Sequence, residues 1–260
     1  MCLILLVWQG HPRYPCIIAA NRDEYHERAT EPAHWWPDRP RIFAGRDLSA
    51  GGTWLGITRS GRFAALTNYR APSQRRMDAP SRGALVTRIL ESDDSVAEEL
   101  KVLRRVGADY NGFNLLFSDG ERLGVYESVR GEGRELGPGV YGLSNHLLDT
   151  PWPKVQQAKA RLQAALRHMT DPTAALALLR DDLPALDDEL PRTGVSLEWE
   201  RLLSSAFVRG IDYGTRCSTV VCIDELGTAS FDEWSWNPSG SQVDRISVRF
   251  EISGRRVNHG

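Results

Sequence analysis

"CLILLVW" at residues 2–8 and "PCIIAAN" at residues 15–21 are the two apolar runs that decide the fold of this protein. Each is short and rich in apolar residues, and the connection "QGHPRY" contains Gly and Pro, so the pair is typical of a β-hairpin. The second run leads directly into the polar sequence "NRDE". Because an antiparallel hairpin places the start of its first strand beside the end of its second, we expect Cys2 to neighbour Arg22 and Asp23.

Cys2 stands directly after Met1, a position from which a cysteine can become N-terminal. Aminopeptidases readily remove an initiator methionine when the next side chain is small, and the product would carry a thiol and a free α-amine on one residue. An α-amine with a pKa of about 8 is a base near neutral pH, and the thiolate is the nucleophilic form of cysteine. Cys2 would then supply both nucleophile and base. On position alone, a small apolar side chain at a strand end is the favoured interpretation.

The charged residues expected beside Cys2 favour the interpretation that Cys2 is a nucleophile. The positive charge of Arg22 could lower the pKa of the thiol, and the carboxylate of Asp23 could hold the α-ammonium group. The alternative is a surface salt bridge that closes the hairpin and contributes less than about 1 kcal/mol to stability.

Further polar residues stand at the ends of strand-like runs. Asn68 ends "AALTN" and Asn145 ends "VYGLSN", and side-chain amides in such positions can donate hydrogen bonds to an oxyanion. Arg216 in "YGTRCSTVV" stands at the start of a strand, and Arg209 in "AFVRG" is a second candidate of the same type. The alternatives are asparagines bonded to the local backbone of a turn and arginines exposed to water.

Composition and charge argue against several classes of protein. The 260 residues are 41% apolar and 25% charged, as in an ordinary globular protein. A formal net charge of −2 gives no electrostatic case for nucleic acid, and no apolar run approaches the roughly 20 residues that span a bilayer. The four cysteines lack the spacing of a zinc site, so we expect no metal. The N-terminal run lacks the basic segment of a secretory signal, which predicts a cytoplasmic location.

The order of the predicted elements indicates an α+β fold. Ser81 has the position of an N-cap at the start of one helix, and Ser95 and Glu98 have the spacing of a capping box at the start of the next. Residues 25–50 resemble a loop, helices are predicted at 81–92, 95–106, 152–180 and 197–207, and the other apolar runs are predicted strands. Runs of strands that alternate with runs of helices favour two antiparallel sheets between helical layers. We expect a single domain over residues 1–260.

Six stretches of the sequence together resemble the NRDE family, also known as the transport-and-Golgi-organisation protein family. They are "MCLILL", "ANRDE", "AGRDLSAGGTWLGI", "ALTNYR", "YGLSN" and "SSAFVRGIDYGTRCST", and they extend from residue 2 to about residue 219. The resemblance implies a relative of the N-terminal nucleophile hydrolases, with a four-layer αββα sandwich. Its layout is similar to that of the choloylglycine hydrolases and penicillin V acylases, which cleave unstrained amides with an N-terminal cysteine.

The resemblance also implies a set of site residues. They are Cys2 as nucleophile, Arg22 and Asp23 after the second strand, Asn68 and Asn145 at the oxyanion and amine-orienting positions, and Arg216 as a late arginine, with Arg209 as its alternative. In the acylases two residues separate the arginine from the aspartate, whereas here the two are adjacent. Glu24 is therefore an alternative functional carboxylate.

Aromatic residues near these motifs could line a ligand pocket beside Cys2. We expect Trp35, Trp36 and Trp54 to contribute to binding, together with Asn21, Glu24 and Tyr69. The alternative is that the tryptophans are ordinary core or loop packing.

Three functions are compatible with the sequence. The first is an amidase-like hydrolase that acts on a small amide or acyl substrate and requires no cofactor. The second is a non-catalytic binding or trafficking protein on the same fold, with haem or an acyl or lipid ligand, because the resemblance implies links to haem handling and lipid homeostasis. The third is a factor in which Cys2 matters only as a thiol. A homo-oligomer is compatible with all three.

Overall fold

The structure, a computed structural model, describes residues 2–253 of the chain. Thirteen strands and five α-helices lie within these residues. The strands are β1 (Cys2–Trp8), β2 (Cys16–Tyr25), β3 (Thr30–Trp35), β4 (Ile42–Asp47), β5 (Leu55–Thr58), β6 (Phe63–Asn68), β7 (Phe113–Ser118), β8 (Leu123–Glu127), β9 (Glu132–Leu136), β10 (Gly139–Leu143), β11 (Tyr213–Ile223), β12 (Thr228–Trp236) and β13 (Gln242–Glu251). The helices are α1 (Gly83–Glu91), α2 (Val96–Val106), α3 (Pro153–Leu166), α4 (Leu176–Leu179) and α5 (Leu197–Leu202).

The strands form two antiparallel sheets. The first has the order β10-β1-β2-β11-β12-β13, and the second runs in sequence order from β3 to β9. The predicted N-terminal hairpin is confirmed, since β1 pairs with β2 and places Cys2 opposite Arg22. This hairpin lies inside the first sheet, between β10 and β11.

The two faces of each sheet are both buried. Alternate residues of β1 and β2, such as Ile4 and Ile18, pack against the second sheet, while Leu3 and Ile17 pack beneath α3 and α4. Helices α1 and α2 cover the outer face of the second sheet. Because side chains alternate across a strand, one apolar run can serve both cores. The resulting order of layers confirms the predicted αββα sandwich.

The prediction that residues 25–50 form a loop is wrong. Strands β3 and β4 lie in this range and pair with each other, with an irregularity in register between Glu31 and His34. Pro32 falls at that irregularity, on the edge strand of the sheet, where a residue without an N–H is tolerated. The proline-rich sequence hid a strand whose stability comes from pairing with its neighbour rather than from local propensity.

The predicted helix starts have different outcomes. The cap at Ser95 is confirmed, because its hydroxyl accepts a hydrogen bond of 3.3 Å from the backbone N–H of Glu98. The predicted cap at Ser81 is wrong, since α1 begins two residues later without a side-chain cap. The continuous helix predicted over 152–180 is also interrupted: α3 ends at Leu166, and a short 3₁₀ turn precedes α4.

Candidate active site

A cavity of about 300 Å³ opens at the end of the sandwich where β1 begins. Its lining comes from the first sheet, from the second sheet and from the segment that leads into α1. The residues that line it include Cys2, Arg22, Asp23, Glu24, Trp54, Asn68 and Arg82. Among residues 2–253, no group of three or more His, Cys, Asp and Glu side chains lies close enough together to hold a metal ion. No helix in the same range is long and apolar enough to cross a membrane.

The wall of the cavity at α1 depends on a close approach of two glycines. A Cβ atom on Gly52 would lie 2.5 Å from the backbone carbonyl carbon of Gly83, the first residue of α1. No side chain fits between these backbones. The two glycines therefore allow the start of α1 to lie against the second sheet at the cavity.

Cys2 lies in this cavity as a partly exposed residue of β1. Burial of its side chain raises the pKa of the thiol. The nearby Asp23 carboxylate also raises this pKa, whereas the positive charge of Arg22 and a hydrogen bond with the backbone of Asp23 lower it. Of the charges that the sequence predicted around Cys2, Arg22 acts in the direction that activates the thiol.

The guanidinium group of Arg22 is buried in the same region. It is 5% exposed, and its charged group lies 4.4 Å from the ring centre of Trp54. Its Nη2 is 4.0 Å from the carboxylate of Glu24, and its buried Nη1 has no hydrogen-bond partner among the described residues. A buried donor of this kind is costly unless a ligand engages it, so Arg22 is suited to hold an oxygen of a bound molecule.

Asp23 is the next residue of β2 and is 1% exposed. Its Oδ1 accepts a hydrogen bond of 2.7 Å from the hydroxyl of Thr215, and its backbone carbonyl accepts one of 2.8 Å from the hydroxyl of Tyr213. Burial raises the pKa of the carboxyl group, and the positive charge of Lys154 opposes this change. Because Asp23 and Arg22 are adjacent on a strand, their side chains point to opposite faces of the sheet.

Lys154 is a buried charged residue that sequence analysis missed. It lies in the first turn of α3, is 4% exposed, and its Nζ has no hydrogen-bond partner among residues 2–253. Burial lowers its pKa to about 8, against the attraction of Asp23. A sequence signal existed: a lysine in the first turn faces the positive end of the helix dipole, and it lies between the apolar residues Trp152 and Val155.

The two predicted asparagines occupy different places. Asn68 lines the cavity. Asn145 is fully buried, and its Nδ2 donates a hydrogen bond of 2.9 Å to the carbonyl of Asn68. The adjacent Ser144 donates a hydrogen bond of 3.0 Å to the carbonyl of Cys2. The two residues that follow β10 therefore connect the first residue of β1 with the last residue of β6.

The late arginines lie outside the lining of the cavity. Arg216 falls at a bulge in the pairing of β11 with β2, and its Nη1 donates hydrogen bonds to the carbonyls of Tyr25 (2.8 Å) and Arg28 (3.0 Å). Arg209 forms an ion pair of 3.2 Å with Asp182. Burial lowers the pKa of the Arg216 guanidinium, and the positive charge of Arg22 lowers it further.

The three predicted tryptophans are separated by the fold. Trp54 lines the cavity. Trp35 packs between the sheets, with its ring centre 5.1 Å from that of Phe43. Trp36 is fully buried on the helical side of the second sheet, and its indole N–H donates to the carbonyl of Ala44. Adjacent residues at the end of β3 thus face different layers.

The remaining predicted binding residues are also divided between the cavity and its surroundings. Glu24 lines the cavity and lies 3.8 Å from Arg28. Asn21 is buried on the helical side and donates hydrogen bonds to the carbonyls of Leu179 and Ala206. The ring of Tyr69 packs 5.0 Å from that of His146. Neither Asn21 nor Tyr69 is among the described residues that line the cavity.

A buried ion pair supports the loops around the site. Arg70, two residues after β6 ends, donates a hydrogen bond of 2.8 Å to the carboxylate of Glu200 on α5, and both side chains are about 5% exposed or less. Glu200 also accepts hydrogen bonds from the backbone N–H and the hydroxyl of Thr193. The pair therefore connects the second sheet with α5 and the segment before it.

We expect Glu200→Ala to lower the free energy of unfolding by about 3–5 kcal/mol, because Arg70 would remain buried without its counter-charge. Chemical denaturation monitored by tryptophan fluorescence measures the change. Glu198→Ala is the matched control on the same helix, since Glu198 is exposed. A loss of less than about 1 kcal/mol in Glu200→Ala would contradict the structural role of the pair.

Comparisons with known sequences extend over almost the whole chain. The family model described as "Transport and Golgi organisation 2" matches residues 1–238. The Transport and Golgi organization protein 2 homolog of Bos taurus is 39% identical over 262 residues, which cover 90% of this chain and 93% of the bovine protein. The Transport and Golgi organization protein 2 of Drosophila melanogaster is 29% identical over 263 residues, with coverage of 90% and 91%. These matches confirm the resemblance found in the motifs.

A solved structure is similar at the level of the fold. A mutant conjugated bile acid hydrolase from Clostridium perfringens superposes with a TM-score of 0.51, covering 99% of this chain and 100% of that chain. The two sequences are 9% identical, so the similarity extends to the fold alone. It agrees with the αββα order of layers.

Proposed function

The chain belongs to the Transport and Golgi organisation 2 family, and we propose that it is an N-terminal cysteine hydrolase that cleaves an amide or acyl bond of a small molecule. One observation carries the proposal. The thiol-bearing Cys2 lies in a cavity opposite Arg22, a buried cation with an unpartnered donor among the described residues. A nucleophile beside an oxygen-binding group is the arrangement that acyl transfer requires.

The proposed reaction begins after removal of Met1, which lies outside the described residues. The freed α-amine of Cys2 accepts the thiol proton, and Sγ forms a bond to the carbonyl carbon of the substrate. The carbonyl oxygen takes up the electron pair of the broken π bond. Arg22 and the side-chain amide of Asn68, which both line the cavity, stabilise the resulting oxyanion.

The tetrahedral intermediate then collapses to a thioester. The leaving amine departs with the proton that the α-ammonium group of Cys2 returns to it. A water molecule attacks the thioester after giving a proton to the same α-amine, and the carboxylic acid product is released with the thiol restored. Asp23 holds the α-amine throughout, and Asn145 fixes the backbone of Asn68.

The test combines intact mass with thiol labelling of the purified protein. We expect a mass without Met1 and a single fast modification by iodoacetamide at Cys2, because Cys16, Cys217 and Cys222 are buried. A protein that carries this modification is then tested for loss of turnover on a panel of small amides. Retained Met1 together with no preferential labelling of Cys2 would rule out the hydrolase. A haem titration of such a protein would then test the ligand-binding alternative.

A further inference from the structure

Two arginines in the wall of the cavity at α1 take no part in the reaction proposed above. They are Arg75 and Arg82, which precede α1 in the chain and line the cavity together with Cys2. We infer that these two arginines bind a negatively charged group of the substrate, a carboxylate or a phosphate, while Cys2 attacks its amide or acyl bond. The inference rests on the proposed function for the identity of the ligand as a substrate. The anion site itself can be measured without any turnover.

The carboxylates that line the cavity belong to the strands and are engaged there. Asp47 pairs with Arg28 at 2.8 Å. Glu24 lies 3.8 Å from Arg28 and 4.0 Å from Arg22. Asp23 accepts a hydrogen bond from a threonine hydroxyl of β11. These acidic groups therefore have partners of their own on the side of the cavity away from α1.

The arginines at α1 lack such a counter-charge. Neither Arg75 nor Arg82 takes part in an ion pair among the residues that the structure describes. Asp78 lies between them in sequence, but it is exposed and is not among the described residues that line the cavity. Burial lowers the pKa of Arg82, and the positive charge of Arg75 lowers it further. A bound anion would stabilise two guanidinium groups that are held near each other in this way.

The segment that carries these arginines is fixed against the connection between α2 and β7. The backbone N–H of Arg76 donates a hydrogen bond of 2.7 Å to Oδ1 of Asn111, and Nδ2 of Asn111 donates one of 2.8 Å to the carbonyl of Arg76. Nη1 of Arg82 donates a hydrogen bond of 3.1 Å to the carbonyl of Gly112. A planar guanidinium group can bind a carboxylate or a phosphate through two parallel hydrogen bonds. The contacts therefore hold this wall ready for an anion before the ligand arrives.

The start of α1 adds to the positive potential of the same wall. The helix is nine residues long, and its first turn has neither an acidic residue nor a side-chain cap. Its first residue, Gly83, lines the cavity, and the positive end of a helix dipole attracts anions. An independent observation points to a ligand in this cavity, because Arg22 is 5% exposed and its Nη1 has no hydrogen-bond partner among residues 2–253. An anion in the cavity would be attracted by the helix and by the arginines together.

Two alkylating reagents of similar size and different charge test the inference. Iodoacetate carries a carboxylate, whereas iodoacetamide is neutral, and both react with the same thiolate of Cys2. The ratio of the two rates, iodoacetate over iodoacetamide, is therefore insensitive to a change in the pKa of the thiol. At low ionic strength we expect this ratio to fall by about fivefold or more in Arg75→Gln and in Arg82→Gln, because each variant loses a positive charge that attracts the anionic reagent.

Arg105→Gln is the matched control. Arg105 is an exposed residue of α2 and is not among the described residues that line the cavity. Its replacement changes the net charge by the same amount and should leave the ratio unchanged. Arg75 is also exposed, so Arg75→Gln tests the site even if Arg82→Gln fails to fold. Equal ratios in the wild-type protein and in Arg75→Gln would overturn the inference.

A protection experiment distinguishes the two kinds of anion. We expect inorganic phosphate or acetate, compared at constant ionic strength, to slow the alkylation of Cys2 by iodoacetamide, and to do so less in Arg75→Gln. The more effective anion identifies the charged group, and protection by neither would overturn the inference. If the ratio and the protection respond to Arg75→Gln but no amide is turned over, the anion site stands and the hydrolase proposal fails. Equal turnover of neutral and anionic amides would retain the hydrolase and overturn the inference.

Discussion

Replacing Cys2 by alanine is expected to abolish labelling in the cavity and to lower hydrolytic turnover by about 10⁴-fold or more, since removal of a nucleophile leaves only binding and oxyanion stabilisation. The loss should be chemical rather than structural. Cys2 is the first residue of β1 and is partly exposed, so alanine can occupy the position with little change in packing. Mass spectrometry after iodoacetamide treatment and turnover of an amide identified in the screen measure the two effects.

The matched control is Cys217→Ala. Cys217 lies across β2 from Cys2, since both residues pair with Arg22. Its side chain is buried, which raises the pKa of the thiol well above its ordinary value, and the charge of Glu233 raises it further. We expect Cys217→Ala to retain labelling at Cys2. Undiminished labelling of the cavity in Cys2→Ala would identify another nucleophile and contradict the proposed mechanism.

Replacing Arg22 by methionine is expected to lower turnover by about 10²- to 10³-fold, the usual effect of removing one oxyanion donor. The thiol should also become less reactive, because Arg22 lowers the pKa of Cys2. The alkylation profile of Cys2 should therefore move to higher pH in the variant. The two measurements, kcat with an amide substrate and the alkylation rate against pH, test the two roles of the same side chain.

Arg59→Met provides the control for Arg22→Met. The guanidinium of Arg59 lies 3.9 Å from the ring centre of Trp35, a stacking similar to that of Arg22 on Trp54. Arg59 is not among the described residues that line the cavity. Both variants lose a cation–π contact, but only Arg22→Met should lose turnover. If turnover falls equally in Arg22→Met and Arg59→Met, the loss comes from a disturbed fold, and Arg22 has no oxygen-binding role.

The central part of the site could be predicted because it depends on one hairpin. Local apolar runs and a turn-rich connection were enough to place Cys2 opposite Arg22, and the observed register agrees. The rest of the site depends on contacts between residues far apart in the chain. Lys154 belongs to α3, which packs on the face of the first sheet that points away from the second sheet. The amphipathic sequence of α3 does not show how deeply its first turn is buried.

The aromatic residues illustrate the same limit. Trp35 and Trp36 are neighbours in sequence, yet one packs between the sheets and the other beneath α1. The sequence identified them as apolar, and strand geometry requires adjacent side chains to diverge. The second sheet has seven strands, and β3 lies at its edge. This position decided whether either ring could approach the cavity.

The sequence by itself determined the N-terminal hairpin, the α+β order of elements and the juxtaposition of Cys2 with Arg22, because these follow from hydrophobic periodicity and from pairing between consecutive strands. Only the tertiary structure decided that β3 and β4 are strands, that Arg70 pairs with Glu200, and that Lys154 is buried. Pairing partners, desolvation and charge proximity are properties of the packed neighbours of a residue. Those neighbours come from distant parts of the chain, and local sequence does not specify them.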